Sequence, residues 1–305
     1  MLSTNYIIEK KNCVIAMGVF DSLHSGHFKV LTKAKNFALK NNYEFIVLTF
    51  DPHPTRITKG IYSASKLILP LELRLEMLKE FGAKKIIVQN FDKKFSQISP
   101  TEFINLLIKN FPNLKALAMG ENFKFGKNAT GDVEWLKQSK NLPIKILSAT
   151  NLKNSKLTIS SSRLREAISK ADLKSFKQMT KRDYFAIGKV IAGKKLGRKI
   201  GFPTLNLSWN PECKLPYGVY AVKLENLNSK KEYFGVANYG VSPSVEKHGK
   251  VLVETNLFEN VKFGVGTKMK VSFLKFLRAE KKFSSLDILK KAIAIDKEKA
   301  LKFFS

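Results

Sequence analysis

Gly18-Val19-Phe20-Asp21-Ser22-Leu23-His24-Ser25-Gly26-His27 is the stretch that decides the fold of this 305-residue chain. It follows an apolar run of buried-strand type, residues 13–17. It precedes residues 28–40, in which apolar side chains recur at spacings of three and four, as on one face of a helix. The stretch therefore lies where a strand ends and a helix begins. Backbone N–H groups and the positive end of the helix dipole gather at such a junction and favour phosphate binding.

Two histidines give this junction its chemistry. His24 and His27 are three residues apart, so on a first helical turn they lie about 5–6 Å from each other. Gly26 between them lets a ligand approach the backbone without a Cβ in the way. The chain has four histidines, and two of them fall in this one stretch. The pattern favours a site for nucleotide phosphates; two surface histidines beside an ordinary turn are the alternative.

The first half alternates predicted strands and helices, which is typical of a doubly wound parallel sheet. The predicted strands are residues 13–17, 44–50, 85–88, 115–119 and 144–147; the predicted helices are 28–40, 71–81, 100–110, 132–138 and one last helix from 159 through 179. Ligands of open parallel sheets bind at the carboxyl ends of the strands. His53 follows the second strand, between two prolines that predict an extended loop, so we expect it to face the same cleft. A turn residue without a ligand is the alternative.

A run of hydroxyls and arginines opens the last helix of this half. Ser160, Ser161 and Ser162 precede Arg163 and Arg165. Helix capping explains one or two of the hydroxyls. Two guanidinium groups beside them favour phosphate binding, because arginine matches the geometry of phosphate oxygens. We expect this segment to meet the triphosphate that the histidines bind.

The pattern changes around residues 181–183, where a series of short β-type runs begins. The runs are 184–191, 219–224, 233–237, 251–256 and 269–274, and a helix-like stretch, 284–304, follows. Short strands at this spacing predict an antiparallel sheet or small barrel. The chain is therefore expected to have two domains, 1–183 and 184–305.

The second half offers one loop and one carboxylate as site candidates. Thr204 and Asn206 follow Gly201 and Pro203, and in an extended segment they point to one face, where their oxygens are suitable ligands for Mg²⁺. A plain hairpin turn is the alternative. Glu254 lies within an otherwise apolar run, either as a general base for phosphoryl transfer or as a solvent-facing strand residue.

Composition narrows the class of protein. The net charge is +29, but only seven of the 54 basic residues are arginine and the lysines spread over both halves. Proteins that bind nucleic acid usually concentrate arginine on one face. The positive electrostatic field of this chain is sufficiently explained by the attraction of phosphorylated small molecules. No apolar run approaches the ~18–20 residues of a membrane span. Cys13 and Cys213 belong to no metal-binding or redox motif, so we expect reduced thiols in a cytoplasmic protein without a membrane or dedicated nucleic-acid partner.

The first half resembles the adenylyltransferase domain of the bacterial bifunctional riboflavin kinase/FMN adenylyltransferase (FAD synthetase) family. The matching segments are GVFDSLHSGH (18–27), TFDPHP (49–54), FDKKFSQISPTEFI (91–104), GENFKFG (120–126) and ISSSRLREA (159–167). The resemblance implies an ATP site made by Gly18, Phe20, His24, His27, Asn122, Ser160, Ser161, Arg163 and Arg165. It also implies flavin contacts from His53 and Asn122.

The second half resembles the riboflavin kinase domain of the same family. The shared segments are GRKIGFPTLNL (197–207), LPYGVYAV (215–222), GVANYGVSPS (235–244) and the run around Glu254. The resemblance implies that Gly201, Pro203, Thr204 and Asn206 bind ATP and Mg²⁺, and that Glu254 is the base.

The resemblance predicts two ATP- and Mg²⁺-dependent reactions. Riboflavin is phosphorylated to FMN, and FMN is adenylylated to FAD with release of pyrophosphate. Three alternatives stay open on the sequence: an adenylyltransferase whose kinase half only binds flavin, a flavin- or nucleotide-binding regulator without turnover, and a nucleic-acid-binding protein.

Overall fold

The structure, a computed structural model, describes residues 11–60, 62–139, 142–150, 153–154, 157–193, 201–241, 251–261 and 263–305. Its contacts divide the chain into two compact units, Met1–Arg163 and Leu164–Ser305. The expected functional boundary between residues 183 and 184 stays a prediction, because a packing boundary and a boundary between activities need not coincide.

The first unit is built on a parallel sheet. Its strands are β1 (Cys13–Met17), β2 (Glu44–Asp51), β3 (Lys85–Asn90), β4 (Leu114–Gly120) and β5 (Lys145–Ala149). They lie in the order β3-β2-β1-β4-β5, and every neighbouring pair is parallel. The order reverses between β1 and β4, so the carboxyl ends of these two strands form the switch point at which open sheets bind ligands.

Helices cover both faces of this sheet, as predicted for a doubly wound fold. The helices of this unit are α1 (Ser25–Lys40), α2 (Pro54–Thr58), α3 (Leu71–Glu80), α4 (Pro100–Asn110) and α5 (Val133–Gln138). A two-stranded ribbon of β6 (Lys153–Asn154) and β7 (Leu157–Thr158) follows, and then α6 (Ser161–Ser169), which begins in the first unit and ends in the second. Helix α1 packs across β1, β2, β4 and β5. Phe103 and Leu107 of α4 share one core cluster with Ile15 and Met17 of β1. Because side chains alternate along a strand, this core lies on one face of the sheet and α1 on the other.

Two local predictions for helices are wrong. The extended loop expected after β2 contains the short helix α2, which begins at Pro54; proline at the first helical position already has the right φ. The single helix expected from 159 through 179 is two helices. Ala171 has a left-handed φ of 53°, and Asp172 then caps α7 (Leu173–Thr180) by accepting a hydrogen bond from the backbone N–H of Ser175 at 3.0 Å.

The second unit contains a closed barrel, which confirms the predicted antiparallel β structure. Its strands are β8 (Tyr184–Ile191), β9 (Thr204–Ser208), β10 (Gly218–Asn226), β11 (Glu232–Val241), β12 (Val251–Leu257) and β13 (Lys268–Ala279). They close in the order β10-β11-β12-β9-β8-β13. Aromatic rings such as Tyr184, Trp209, Tyr239 and Phe273 pack on one another in its core.

Helix α8 (Leu286–Phe304) covers part of the barrel's outer surface. Its Ala300 packs with Val219 and Val236. The Arg278 guanidinium makes a two-pronged contact with the buried Asp296 carboxylate, at 3.0 and 2.7 Å from Nε and Nη2 to Oδ2. None of the helices in the described parts of the chain has the length and apolar character that a membrane crossing requires.

Candidate active sites

The histidine loop, residues 18–27, connects β1 to α1 and forms the first site. His24 is the N-cap of α1, and its Nδ1 accepts a hydrogen bond from the backbone N–H of His27 at 3.1 Å. An accepting ring nitrogen carries no proton, so neutral His24 holds its proton on Nε2 as a donor. The rings of His24 and His27 stack with centroids 3.7 Å apart. Two imidazoles therefore lie side by side at the N-terminus of α1, as the sequence predicts.

Phe20 supports this pair from inside the protein. It is 1% exposed, and its ring meets His27 edge-to-face with centroids 5.4 Å apart. A Cβ on Gly18 would lie 2.9 Å from that ring, so a larger residue there would force the buried Phe20 ring to move. Phe20 and Leu23 both have a left-handed φ, 54° and 43°, which non-glycine residues rarely adopt. The Phe20 side chain contacts His27. The contacts of Gly18 and Phe20 with ATP stay predictions.

The start of α6 meets the histidine loop. Ser161 Oγ donates to Asp21 Oδ1 at 2.7 Å and lies 3.0 Å from Ser22 Oγ. Asp21 and Ser22 are almost completely buried, so these bonds are shielded from water. The start of α6 thus contacts the histidine loop, although 139 residues separate Ser22 from Ser161.

Ser160 and Arg163 lie beside this junction. Ser160 Oγ accepts from the Arg163 backbone N–H at 3.4 Å, which is a capping contact. The Arg163 side chain donates from Nη1 to the Thr158 carbonyl at 3.1 Å. Arg165 lies further along α6, past the end of the first unit. Its reach to the phosphates stays a prediction.

A cavity of about 560 Å³ opens beside the histidine loop, with Val19 in its wall. Both residues expected to contact flavin, His53 and Asn122, line it. Six phenylalanines line it as well: Phe50, Phe91, Phe95, Phe103, Phe123 and Phe125. His53 Nδ1 accepts from the Thr55 backbone N–H at 3.2 Å and lies 2.9 Å from Thr55 Oγ1. Such a cavity suits a flat aromatic ligand with polar edges.

Arg74, on α3, was not among the predicted site residues. It is 1% exposed and donates from Nη1 to the Val19 carbonyl at 2.8 Å and from Nη2 to the Phe50 carbonyl at 3.2 Å. Burial lowers the pKa of Arg74, while the carboxylates of Asp51 and Asp21 oppose that shift. Leu71 lies three residues before Arg74 and Leu78 four residues after it, so Arg74 falls on the apolar face of the helix. This spacing is the signal that could have identified its burial.

The second site lies on the wall of the barrel and is set by strand register. Glu254 of β12 is opposite Asn206 of β9 and also opposite Asn238 of β11. Asn256 is opposite Thr204. Residues opposite each other in antiparallel strands share a face, with Cβ atoms about 4.5–5.5 Å apart. These five residues form what we call the barrel-wall cluster.

The barrel-wall cluster faces the outside of the barrel. Val236 is two residues from Asn238 on β11, so both point to the same face, and Val236 packs with Ala300 of α8. The sequence singled out Thr204, Asn206 and Glu254 and missed Asn238 and Asn256. Their period-two spacing from Val236 and Glu254 is the signal that could have identified them.

The barrel-wall cluster contains oxygen atoms that are suitable ligands for Mg²⁺. Asn206 is 6% exposed, and its Oδ1 is buried with no hydrogen-bond partner among the residues that the structure describes. A buried carbonyl oxygen is costly to leave unsatisfied, and Mg²⁺ binds such oxygens together with hydroxyls like that of Thr204. Asn256 Nδ2 donates to the Pro203 carbonyl at 2.9 Å and so holds the start of β9. Gly201, with a φ of 87°, precedes it; Gly197 to Ile200 lie outside the described residues.

Comparison with known proteins identifies both units. Residues 7–163 match the family model of FAD synthetase, and residues 180–304 match that of riboflavin kinase. The bifunctional riboflavin kinase/FMN adenylyltransferase of Bacillus subtilis is 32% identical over 97% of this chain and 94% of its own length. The protein of the same name from Escherichia coli K12 is 31% identical over 97% and 94%.

A solved structure extends the likeness to the fold. A Streptococcus pneumoniae protein named a macrolide-efflux protein matches with a TM-score of 0.81 and 26% identity, over 94% of this chain and 93% of that one. The two family models and the curated relatives agree with each other along nearly the whole chain. This chain belongs to the bifunctional riboflavin kinase/FMN adenylyltransferase family.

Proposed function

We propose that FMN is adenylylated where the histidine loop, the start of α6 and the phenylalanine-lined cavity meet. One observation carries this assignment: Val19 belongs to the histidine loop and also lines the cavity. This shared residue supports adjacent sites for the ATP phosphates and the flavin ring, as a reaction between ATP and FMN requires. His53 and Asn122 are the polar groups available to the flavin there.

The adenylyl transfer needs no nucleophile from the enzyme. An oxygen of the FMN phosphate attacks the α-phosphorus of ATP, and the bond from that phosphorus to the pyrophosphate oxygen breaks. Catalysis then depends on alignment and on neutralising charge. His24 would offer its Nε2–H, and His27, Ser161 and Arg163 are the other proposed ligands of the phosphates. The stacking of His27 on His24 and the contact of Ser161 with Asp21 support this set. Arg165 is the further cation that the family resemblance adds.

The barrel-wall cluster is proposed as the riboflavin kinase site. Glu254 accepts the proton of the riboflavin 5′-hydroxyl, whose oxygen attacks the γ-phosphorus of ATP as ADP leaves. Thr204 and Asn206 would hold Mg²⁺, which neutralises charge on the phosphate oxygens. The register that pairs Glu254 with Asn206 supports placing base and metal ligand together.

Partners and location follow from this assignment. ATP, riboflavin and FMN are the proposed small-molecule partners, and their phosphates give the charge of +29 a sufficient use. Cys13 and Cys213 are buried thiols, which supports the proposed reducing, cytoplasmic setting. Both halves match family models, and no finding favours the alternative in which the kinase half only binds flavin.

Reciprocal substitutions test the two assignments. With FMN and Mg-ATP, His27→Ala is expected to lower FAD and pyrophosphate formation at least about 100-fold, the typical effect of removing one donor from a charge-stabilising site. Riboflavin phosphorylation by the same variant should be unchanged, which shows that the second unit is intact; an unchanged midpoint of thermal unfolding shows that the first unit is folded.

Glu254→Gln should have the opposite effect. It keeps the size and hydrogen-bonding ability of the side chain but removes the base, so FMN formation from riboflavin should fall by a factor of at least about 100. FAD formation from supplied FMN should continue. Unchanged phosphorylation would exclude Glu254 as the base.

A further inference from the structure

The buried Arg74 side chain hydrogen-bonds to two backbone segments that line the proposed adenylyltransferase site. Its Nη1 donates to the Val19 carbonyl in the histidine loop at 2.8 Å. Its Nη2 donates to the Phe50 carbonyl near the end of β2 at 3.2 Å. Val19 and Phe50 both line the cavity. One planar guanidinium therefore fixes the spacing between the backbone that follows β1 and the backbone that precedes the His53 loop.

The surroundings of Arg74 hold the guanidinium in place. Asp51 Oδ1 lies 3.7 Å from Nη2, and the charges of Asp51 and Asp21 both favour the protonated form. The start of α3 is also attached to the histidine loop, because the Leu69 backbone N–H donates to the Asp21 carbonyl at 2.9 Å. A fully buried cation costs free energy unless it is paired and hydrogen-bonded.

The histidine loop, whose Val19 carbonyl Arg74 binds, contains two non-glycine residues in the left-handed conformation. Phe20, next to Val19, has a φ of 54°, and Leu23 has a φ of 43°. Such conformations persist in non-glycine residues only when the surrounding structure over-determines them. Thr49 Oγ1 also donates to the Val19 carbonyl, at 2.9 Å. Two donors from different elements thus converge on the carbonyl immediately before the first strained residue.

We infer that Arg74 is a positioning residue for adenylyl transfer, one that sets the distance and orientation between the histidines that bind ATP and the wall that binds flavin. This inference rests on the proposed function of the first site. Arg74 touches neither substrate; it acts through the carbonyls of Val19 and Phe50. Lysine cannot replace it, because an ammonium group lacks the fork of two divergent donors.

The test compares Arg74→Lys and Arg74→Met with the parent chain. The rate of FAD formation from FMN and Mg-ATP is measured beside riboflavin phosphorylation and the urea midpoint of unfolding. Arg74→Lys should be more stable than Arg74→Met, because lysine keeps a positive charge near Asp51. It should not recover activity: kcat for adenylyl transfer should stay at least about tenfold below the parent in both variants. A purely structural role predicts instead that activity follows stability.

Controls separate the possible failures. Arg278→Lys alters the buried ion pair of the other unit and should leave FMN adenylylation unchanged. If both Arg74 variants fail to fold, Asp51→Asn, at a side chain 38% exposed, removes the ionic partner and should still lower that kcat about threefold. An Arg74→Lys variant with parental kcat, or an Asp51→Asn variant with parental kcat in the fallback, would overturn the inference. A parent chain that makes no FAD would instead overturn the proposed function.

Discussion

His24 performs two tasks with its two ring nitrogens. Nδ1 accepts the His27 backbone N–H and so caps α1, while Nε2 carries the ring proton and is the group that the proposed function assigns to the phosphates. A helix cap and a phosphate ligand are usually different residues. Here they are one imidazole, so a substitution at this position can remove one task and keep the other.

His24→Asn should separate the two tasks. Asparagine is among the best N-cap residues, so the midpoint of thermal unfolding should stay that of the parent. It has no equivalent of Nε2–H at that reach, so FAD formation should fall about 100-fold. His24→Ala should lose activity to the same extent and also about 1 kcal/mol of stability, the usual value of a cap. An asparagine variant with full adenylyltransferase activity would show that His24 only caps the helix.

Single residues also mark the limit of prediction from sequence. The positions of His24, His27 and Ser161 could be predicted because each stands in a motif whose local geometry is set by a strand-to-helix junction or a helix start. Arg74 was missed. A charged side chain is expected at the surface, although Leu71 and Leu78 place Arg74 on the apolar face of α3. Its hydrogen bonds to the Val19 and Phe50 carbonyls are visible only in the tertiary structure. Asn238 was missed because register across strands is not visible in one strand's sequence, whereas Asn256, two residues from Glu254, could have been found from its spacing.

Elements with strong periodicity were predicted well. The five strands of the parallel sheet and helices α1, α3 and α4 lie within a few residues of their predicted bounds, because each buries a continuous apolar stripe. The break between α6 and α7 was missed because the apolar period continues through it. Ala171 and Asp172 interrupt the helix by a left-handed turn and a new cap, although neither residue is a glycine or proline.

The cap at Asp172 gives this break a measurable pH dependence. Hydrogen bonds from the Ser175 hydroxyl and backbone N–H lower the pKa of Asp172. Because the folded-state pKa lies below the unfolded one, the stabilisation is complete above the unfolded pKa, about 3.9, and is lost as the pH falls through the folded value.

Asp172→Ala should therefore lower the midpoint of thermal unfolding at pH 7 by about 3 °C, corresponding to about 1 kcal/mol. The difference from the parent should shrink as the pH falls below about 4. Asp172→Asn is the matched control, since asparagine keeps the cap and does not titrate. An alanine variant as stable as the parent at pH 7 would mean that the break does not depend on this cap.

The whole molecule combines two units of unrelated fold, one for each of two consecutive reactions. The parallel sheet of the first unit presents helix N-termini and a cavity at its switch point. The barrel of the second unit presents the barrel-wall cluster, whose polar residues lie on neighbouring strands. No residue of the barrel-wall cluster belongs to the first unit, and none of the histidine loop belongs to the second. The product of the barrel reaction, FMN, is the substrate of the sheet reaction.

The most direct test of two separate sites is a mixing experiment with full-length variants. Riboflavin and Mg-ATP are supplied to His27→Ala alone, to Glu254→Gln alone and to an equal mixture, and the flavins are separated by chromatography. We expect FMN without FAD from the first, neither product from the second, and FAD from the mixture, because FMN made at one barrel reaches the intact histidine loop of another chain. A mixture that yields no FAD, or either variant alone yielding FAD at the parental rate, would contradict this expectation.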